Sequence, residues 1–411
     1  MQKKPENKGV HRWVVLAACV MLQVVLGGIY AWSSFVPALM EKSGFTAGQC
    51  GAVFGLTVAV FAVSLIPAGR FLQIYGPRVT AVTGSLLFGA GYVLASYSAE
   101  NYLQLLLSYA LIVGTGTGFG YVCPLTTGMK WFPDNRGLVT GVSVAGFGGG
   151  AIVLSLFAGH LTAVHGFGVF EVFRVTGFLF GSLAFFSSLL IVDPENFEQN
   201  QQLEKEPIAA YLLQPSFMLI LAGMFAGTFA GLTVVGNLKP MMLEFGLTDE
   251  LATLAISLFA LGNIAGRIGW GQIHDRLGSR LTILGAKALL FVSILGLHTP
   301  GSEYLLLAAV VFTGAGFGGC FVIYASTIVE KFGVRLFSRL YPVCFLGYGA
   351  AALLGPWAGG WIADIYGSFS GAINLAMATV LLATLPILAF FDREIDEKIS
   401  PNRTKLLLKA D

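Results

Sequence analysis

Between residues 13 and 391 the chain repeatedly runs for about twenty residues with scarcely a charge, the length an α-helix needs to cross the hydrocarbon of a bilayer. Twelve such runs can be drawn: 13–37, 48–71, 79–97, 103–129, 137–159, 169–192, 215–238, 250–272, 280–297, 304–329, 337–363 and 368–391. A soluble domain is about 25% charged, whereas this chain is 11% charged and 55% hydrophobic. Its 411 residues have too little interior to hide that much apolar surface, so the solvent must be lipid. In lipid every backbone polar group has to be satisfied within its own segment, which predicts an all-α membrane protein. Lys3, Lys4, Lys8 and Arg12 precede the first run, and no small-residue cleavage site follows a short core. A retained first span is therefore expected rather than a signal peptide.

The distribution of charge predicts the topology. Nineteen of the twenty-four Lys and Arg residues fall at the termini, in the loops on the N-terminal side, or in the central polar stretch; the opposite loops hold only Lys42 and Lys239. By the excess of positive charge in cytoplasmic loops, both termini are expected on the cytoplasmic side of the inner membrane. The polar stretch, 193–214, reads as a cytoplasmic linker between a six-helix bundle at 1–192 and a second at 215–391, with a charged cytoplasmic tail at 392–411. An internal repeat supports two related halves. GTGTGFGYVCPLTTGMKWF (114–132) matches GAGFGGCFVIYASTIVEKF (314–332), and GRFLQIYGPR (69–78) matches GQIHDRLGSR (271–280) at an offset of 202. Parallel repeats around a central cavity are the arrangement of alternating-access carriers.

Three basic residues lie inside spans. Arg174 has Glu171 one turn away, and Lys287, seven residues from Arg280, is expected to snorkel back to the interface. Arg267 has no such exit. Asp275 is eight residues along, about 12 Å on a helix and too far to pair, while Asn263 shares the face of Arg267. A guanidinium at that depth costs about 2.5–3.5 kcal/mol and persists only against a cavity or a partner. Arg267 is therefore expected to meet an anion, with Asn263 orienting the guanidinium or bonding a hydroxyl of the bound molecule.

Other chemistries find little to be built from. The histidines fall in loops or at span ends, and Glu171, Asp249, Glu250, Glu303, Glu330 and Asp364 also lie at span ends. No metal, cofactor or enzymatic site is expected, nor a nucleic-acid partner. The five cysteines have no metal-like spacing. GTGTGFG (114–120) and GFGGGA (146–151) lie in mid-span, where small residues let helices approach closely, and there is no phosphate-binding GxxxxGK[ST] loop. Four tyrosines, Tyr30, Tyr121, Tyr324 and Tyr348, fall in spans 1, 4, 10 and 11, with Phe317, Phe321 and Phe345 as candidate apolar walls.

The paired loops resemble the Gly-x-x-x-Asp-x-x-Gly-x-Arg gating loop of the major facilitator superfamily. Gly271, Asp275, Gly278 and Arg280 fall on its positions. The first copy supplies Gly69, Arg70, Gly76 and Arg78 but has Gln73 in the aspartate's place. The resemblance implies twelve helices in two six-helix bundles. IYAWSSF, Tyr121 nine residues before KWFPDNRG, and NIAGR (263–267) further resemble the oxalate/formate antiporter family and bacterial monocarboxylate transporters. That likeness implies that Arg267 clamps a substrate carboxylate and that Tyr30 and Tyr121 line the site. Oxalate exchangers carry a lysine in span 11 where this chain has Tyr348. One buried cation leaves a dianion half unpaired. The expectation is a monomeric carrier of a small monocarboxylate such as L-lactate or pyruvate, coupled to protons, with an oxalate/formate-type exchanger as the alternative.

Overall fold

The computed structural model describes residues 11–132, 136–194, 209–298 and 302–390. Most of the expected linker and the whole expected tail lie outside them. The helices are α1 (Arg12–Gly27), prolonged by a 3₁₀ stretch to Ser34, α2 (Val36–Ser43), α3 (Ala47–Ala95) and α4 (Tyr102–Leu105). A π-helical stretch, Leu106–Val113, joins α4 to α5 (Gly114–Trp131), followed by α6 (Arg136–His165), α7 (Val169–Leu189) and α8 (Ala209–Leu212). Then come α9 (Pro215–Gly236), α10 (Leu238–Glu244), α11 (Asp249–Gly296), α12 (Glu303–Phe332), α13 (Val334–Tyr366) and α14 (Ser370–Phe390).

Among the described residues ten helical segments are long and apolar enough to cross a bilayer. Two of them, α3 and α11, are 49 and 48 residues long. At ~1.5 Å per residue each would reach about 70 Å, more than twice the ~30 Å hydrocarbon thickness. Each is broken once. Gly76 (φ 80°, ψ 172°) interrupts α3 and Gly278 (φ 72°, ψ 177°) interrupts α11. These are the turn glycines of the two repeated loops, so the ten segments provide twelve crossings, spans 1 to 12.

A Cβ at Gly76 or Gly278 would meet nothing within 4 Å, so the requirement for glycine is purely conformational. That region of φ/ψ is essentially closed to other residues and costs them about 1–3 kcal/mol. Gly278→Ala is therefore expected to lower stability by about that amount. Gly269→Ala, on the same helix with equally open space and no positive φ, should not. Thermal melts of the two variants in detergent check this, and equal behaviour would refute it.

The repeat extends to details that composition does not show. Thr46 caps α3 by accepting from the Gln49 backbone N–H, and Thr248 caps α11 by accepting from that of Leu251, again 202 residues apart. Within each half, glycines act as notches. On span 7, Gly223, Gly227 and Gly231 face Tyr324, Cys320 and Phe317 of span 10, and Gly314 and Gly318 of span 10 lie against the backbone of Phe259 and Asn263 on span 8. The glycine-rich segments of spans 4 and 5 do the same work: Gly116 and Gly120 lie against spans 3 and 1, and Gly146 and Gly150 against span 1.

The halves meet most closely towards the face opposite Arg12, termed here the far face. There span 2 packs on span 11. A Cβ at Gly51, Gly55 or Gly360 would run into the backbone carbonyl of Pro356, Ala352 or Ala47 respectively. At the rim, Asp364 of span 11 reaches across and accepts from the backbone N–H groups of Ala47 and Gly48, at 2.9 and 2.8 Å. A carboxylate there satisfies two of the unpaired donors at the start of α3 and complements its dipole. Losing a cap of this kind costs about 0.5–2 kcal/mol. Asp364→Ala is expected to shift the carrier towards far-face opening, read as faster labelling of a cysteine placed at Ala47. Unchanged labelling would show that the contact is incidental.

Candidate functional site

Arg267 sits on span 8 in register with Phe259 and Asn263, each four residues apart, so that the three share one face. Its side chain is 7% exposed. The guanidinium Nε donates to Asn263 Oδ1 at 2.9 Å. Its Cζ lies over the Phe321 ring, 4.6 Å from the centroid, a cation–π contact that holds the charge in apolar surroundings. The Tyr121 phenol approaches the guanidinium from span 4. Tyr30, Tyr341 and Tyr348 are also near enough to interact with its charge. Nη1 is buried with no hydrogen-bond partner among the described residues. A buried donor left unpaired costs about 1–3 kcal/mol, and more when charged. The group is thus held by one acceptor and one ring while one of its nitrogens stays available.

Around it the two halves contribute a continuous aromatic cluster. Tyr30 Oη and Tyr348 Oη are 2.6 Å apart, a hydrogen bond from span 1 to span 11. The Tyr30 ring packs edge-on to Phe54, Phe147 and Phe317. Phe61 contacts Tyr121, Phe147, Phe345 and Tyr348, and Phe321 contacts Phe317, Phe345 and Tyr348. The structure therefore brings Arg267, Asn263, Tyr30, Tyr121, Tyr348, Phe317, Phe321 and Phe345 together.

Tyr324 is not among them. It is buried, but its hydroxyl lies against Gly223 of span 7, because the missing Cβ there leaves the notch that the phenol fills. Conversely, Phe61 and Phe147 belong to the cluster although sequence reasoning passed over them, as it did Tyr341. Tyr341 donates to the Phe321 carbonyl oxygen at 3.2 Å. Its signal was available: Tyr341, Phe345 and Tyr348 recur at helical spacing.

Lys287 departs from expectation. Instead of snorkelling to an interface it is 3% exposed, and its Nζ donates to the Gly223 carbonyl oxygen at 3.4 Å. The bare backbone of Gly223 gives the amine an acceptor inside the bundle. Glu171 likewise accepts from the Gly168 N–H at the start of its own helix. In the second repeated loop, Asp275 is exposed and makes no ion pair among the described residues. The loop is instead tied to the end of span 10 through His274, whose Nε2 lies 3.1 Å from Ser279 Oγ and 3.4 Å from Glu330 Oε2. Ser279 also donates to Glu330, and Arg280 donates to the Leu388 carbonyl oxygen at 3.1 Å. Arg70 and Arg78 of the first loop are exposed, with Gly69 and Gly271 partly so.

The sequence model of the Major Facilitator Superfamily matches residues 16–341 and, in a second alignment, 221–409. The chain belongs to the Major Facilitator Superfamily. As a member of it, it is a multi-pass membrane protein of a family of transporters rather than enzymes. It is 28% identical to the oxalate:formate antiporter of Oxalobacter formigenes over 394 residues, covering 90% of this chain and 92% of that one. It is 26% identical to the uncharacterized MFS-type transporter YhjX of Escherichia coli K12 over 362 residues, covering 85% and 88%. It is 23% identical to apicoplast pyruvate carrier 1 of Toxoplasma gondii, covering 84% and 79%.

Proposed function

We infer that this carrier moves small monocarboxylates, L-lactate or pyruvate-like, across the cytoplasmic membrane by alternating access, both termini facing the cytoplasm, and that the anion binds at Arg267. The observation that carries the reading is the unpartnered Nη1 of a buried guanidinium already fixed by Asn263 and Phe321. A carboxylate supplies the missing acceptor in a charge-assisted bond. Tyr121, beside the guanidinium, would donate to a second oxygen, and the phenyl rings would exclude water and suit a short alkyl group. Relatives named for oxalate and formate exchange and for pyruvate fit a carboxylate cargo.

Charge favours one carboxylate over two. Within the aromatic cluster Arg267 is the full positive charge, and at the span-11 position Tyr348 is bonded to Tyr30 rather than offering a cation. A dianion there would keep one carboxylate without a counter-charge. The likeness to an oxalate:formate antiporter favours the second reading, an exchanger.

The deciding experiment is uptake of labelled L-lactate into proteoliposomes with and without an inward proton gradient, with oxalate as competitor. Accumulation that follows the gradient and ignores oxalate supports a lactate–proton symporter. Uptake only by counterflow, or strong competition by oxalate, supports the exchanger and overturns the charge argument.

A further inference from the structure

Arg267 is permanently charged and cannot carry a proton, so the proposed symport needs another group. Lys287 stands directly behind the wall of the site. Span 10 lies between them: the Phe321 ring sits under the Arg267 Cζ, while the adjacent Cys320 interacts with Lys287. The amine is 3% exposed, and its Nζ has one long bond, 3.4 Å, to the Gly223 carbonyl on span 7. The Cys320 thiol interacts with it, the Tyr324 phenol lies against the same Gly223, and no carboxylate pairs with it among the described residues. A surface lysine would not need so deep a place, and a structural ion pair would have its partner. What remains is an ammonium with room for one weak acceptor, a group able to exist charged or neutral as the charge across span 10 changes.

We propose that Lys287 is the proton-carrying residue of this carrier, taking up one proton when an anion binds at Arg267 and releasing it when the anion leaves. The inference rests on the carboxylate reading of the Arg267 site. Its charge balance is simple. Empty, the pair is a guanidinium and a neutral amine. Loaded, it is guanidinium, carboxylate and ammonium. The net charge is +1 in both states, so the same half-molecule rocks past the membrane at the same charge whether full or empty. The N–H bond forms with a proton from the side the anion enters and breaks towards the side it leaves.

The test uses the reconstituted full chain and two variants, Lys287→Met, which cannot be protonated, and Lys287→Arg, which cannot be deprotonated. Labelled-for-unlabelled lactate counterflow needs no net proton movement, whereas accumulation under an inward proton gradient does. Both variants are expected to keep counterflow close to wild type and to lose gradient-driven accumulation. Recovery of accumulation in Lys287→Arg would make the residue a structural tether and overturn the proposal, as would accumulation in Lys287→Met. A second readout, proton uptake by weakly buffered purified protein on adding lactate or oxalate, covers a variant that transports nothing. At alkaline pH, where the empty carrier's amine is neutral, about one proton per bound anion is expected for wild type and none for Lys287→Met, by linkage. Proton uptake with oxalate alone, abolished in Lys287→Met, would leave Lys287 in place while overturning the monocarboxylate reading. Wild type binding either anion without proton uptake would overturn the Lys287 assignment itself.

Discussion

Arg267→Lys is expected to lower both lactate transport and lactate affinity by about 30-fold or more, matching the ~2 kcal/mol lower bound for breaking a buried, hydrogen-bonded charge pair. The substitution keeps the charge and loses the geometry. An ammonium has no Nε to donate to Asn263 while presenting two further nitrogens to an anion, and it lacks the planar group whose Cζ sits 4.6 Å over Phe321. Asn263→Ala removes only the orienting acceptor and should give an intermediate loss. Calorimetric titration of lactate into the purified variants separates binding from turnover. An Arg267→Lys carrier that binds and transports like wild type would remove the carboxylate from this site altogether.

The second large effect is expected at a residue far from any charge. Gly55 lies where span 2 meets span 11, and a side chain there would run into the Ala352 carbonyl. Backbone cannot swing aside as a rotamer can, so Gly55→Leu should wedge the far face open. Overpacking of this kind costs about 1–3 kcal/mol, enough to shift a two-state equilibrium by about 5- to 150-fold. Spin labels at Lys42 and Lys239, in the short far-face helices α2 and α10 of the two halves, should move apart, and turnover should fall by a similar factor while lactate still binds. A Gly55→Leu carrier with unchanged label separation and turnover would mean that the seam is not the closed gate.

The parts of this molecule that were legible in the sequence are those set by period and by cost. Apolar runs of bilayer length gave the all-α membrane fold, and the 202-residue repeat placed equivalent turn glycines at 76 and 278. The spacing of Asn263 and Arg267 put them on one face before any coordinates did. Orientation about the helix axis was harder. Tyr324 has the same helical register as Phe317 and was grouped with it, yet Gly223 on another helix decides where its ring goes. Lys287 failed for the same reason: a carbonyl left open by Gly223 is invisible from span 9 alone. Phe61 joins the cluster through contacts across the halves and Phe147 through contacts with three other helices of its own half, which no pattern within one helix records.

The glycine seam also bears on what a membrane carrier must never do. A gate built of side chains leaks whenever a rotamer flips, and a single file of water through it would let protons run down the membrane potential. Here Gly51, Gly55 and Gly360 bring main chain against main chain, with Asp364 fastening the rim. Nothing at these contacts can flip. As the closed gate, such a seam would part only when whole helices move, and the smallest residues in the chain would be its electrical insulation.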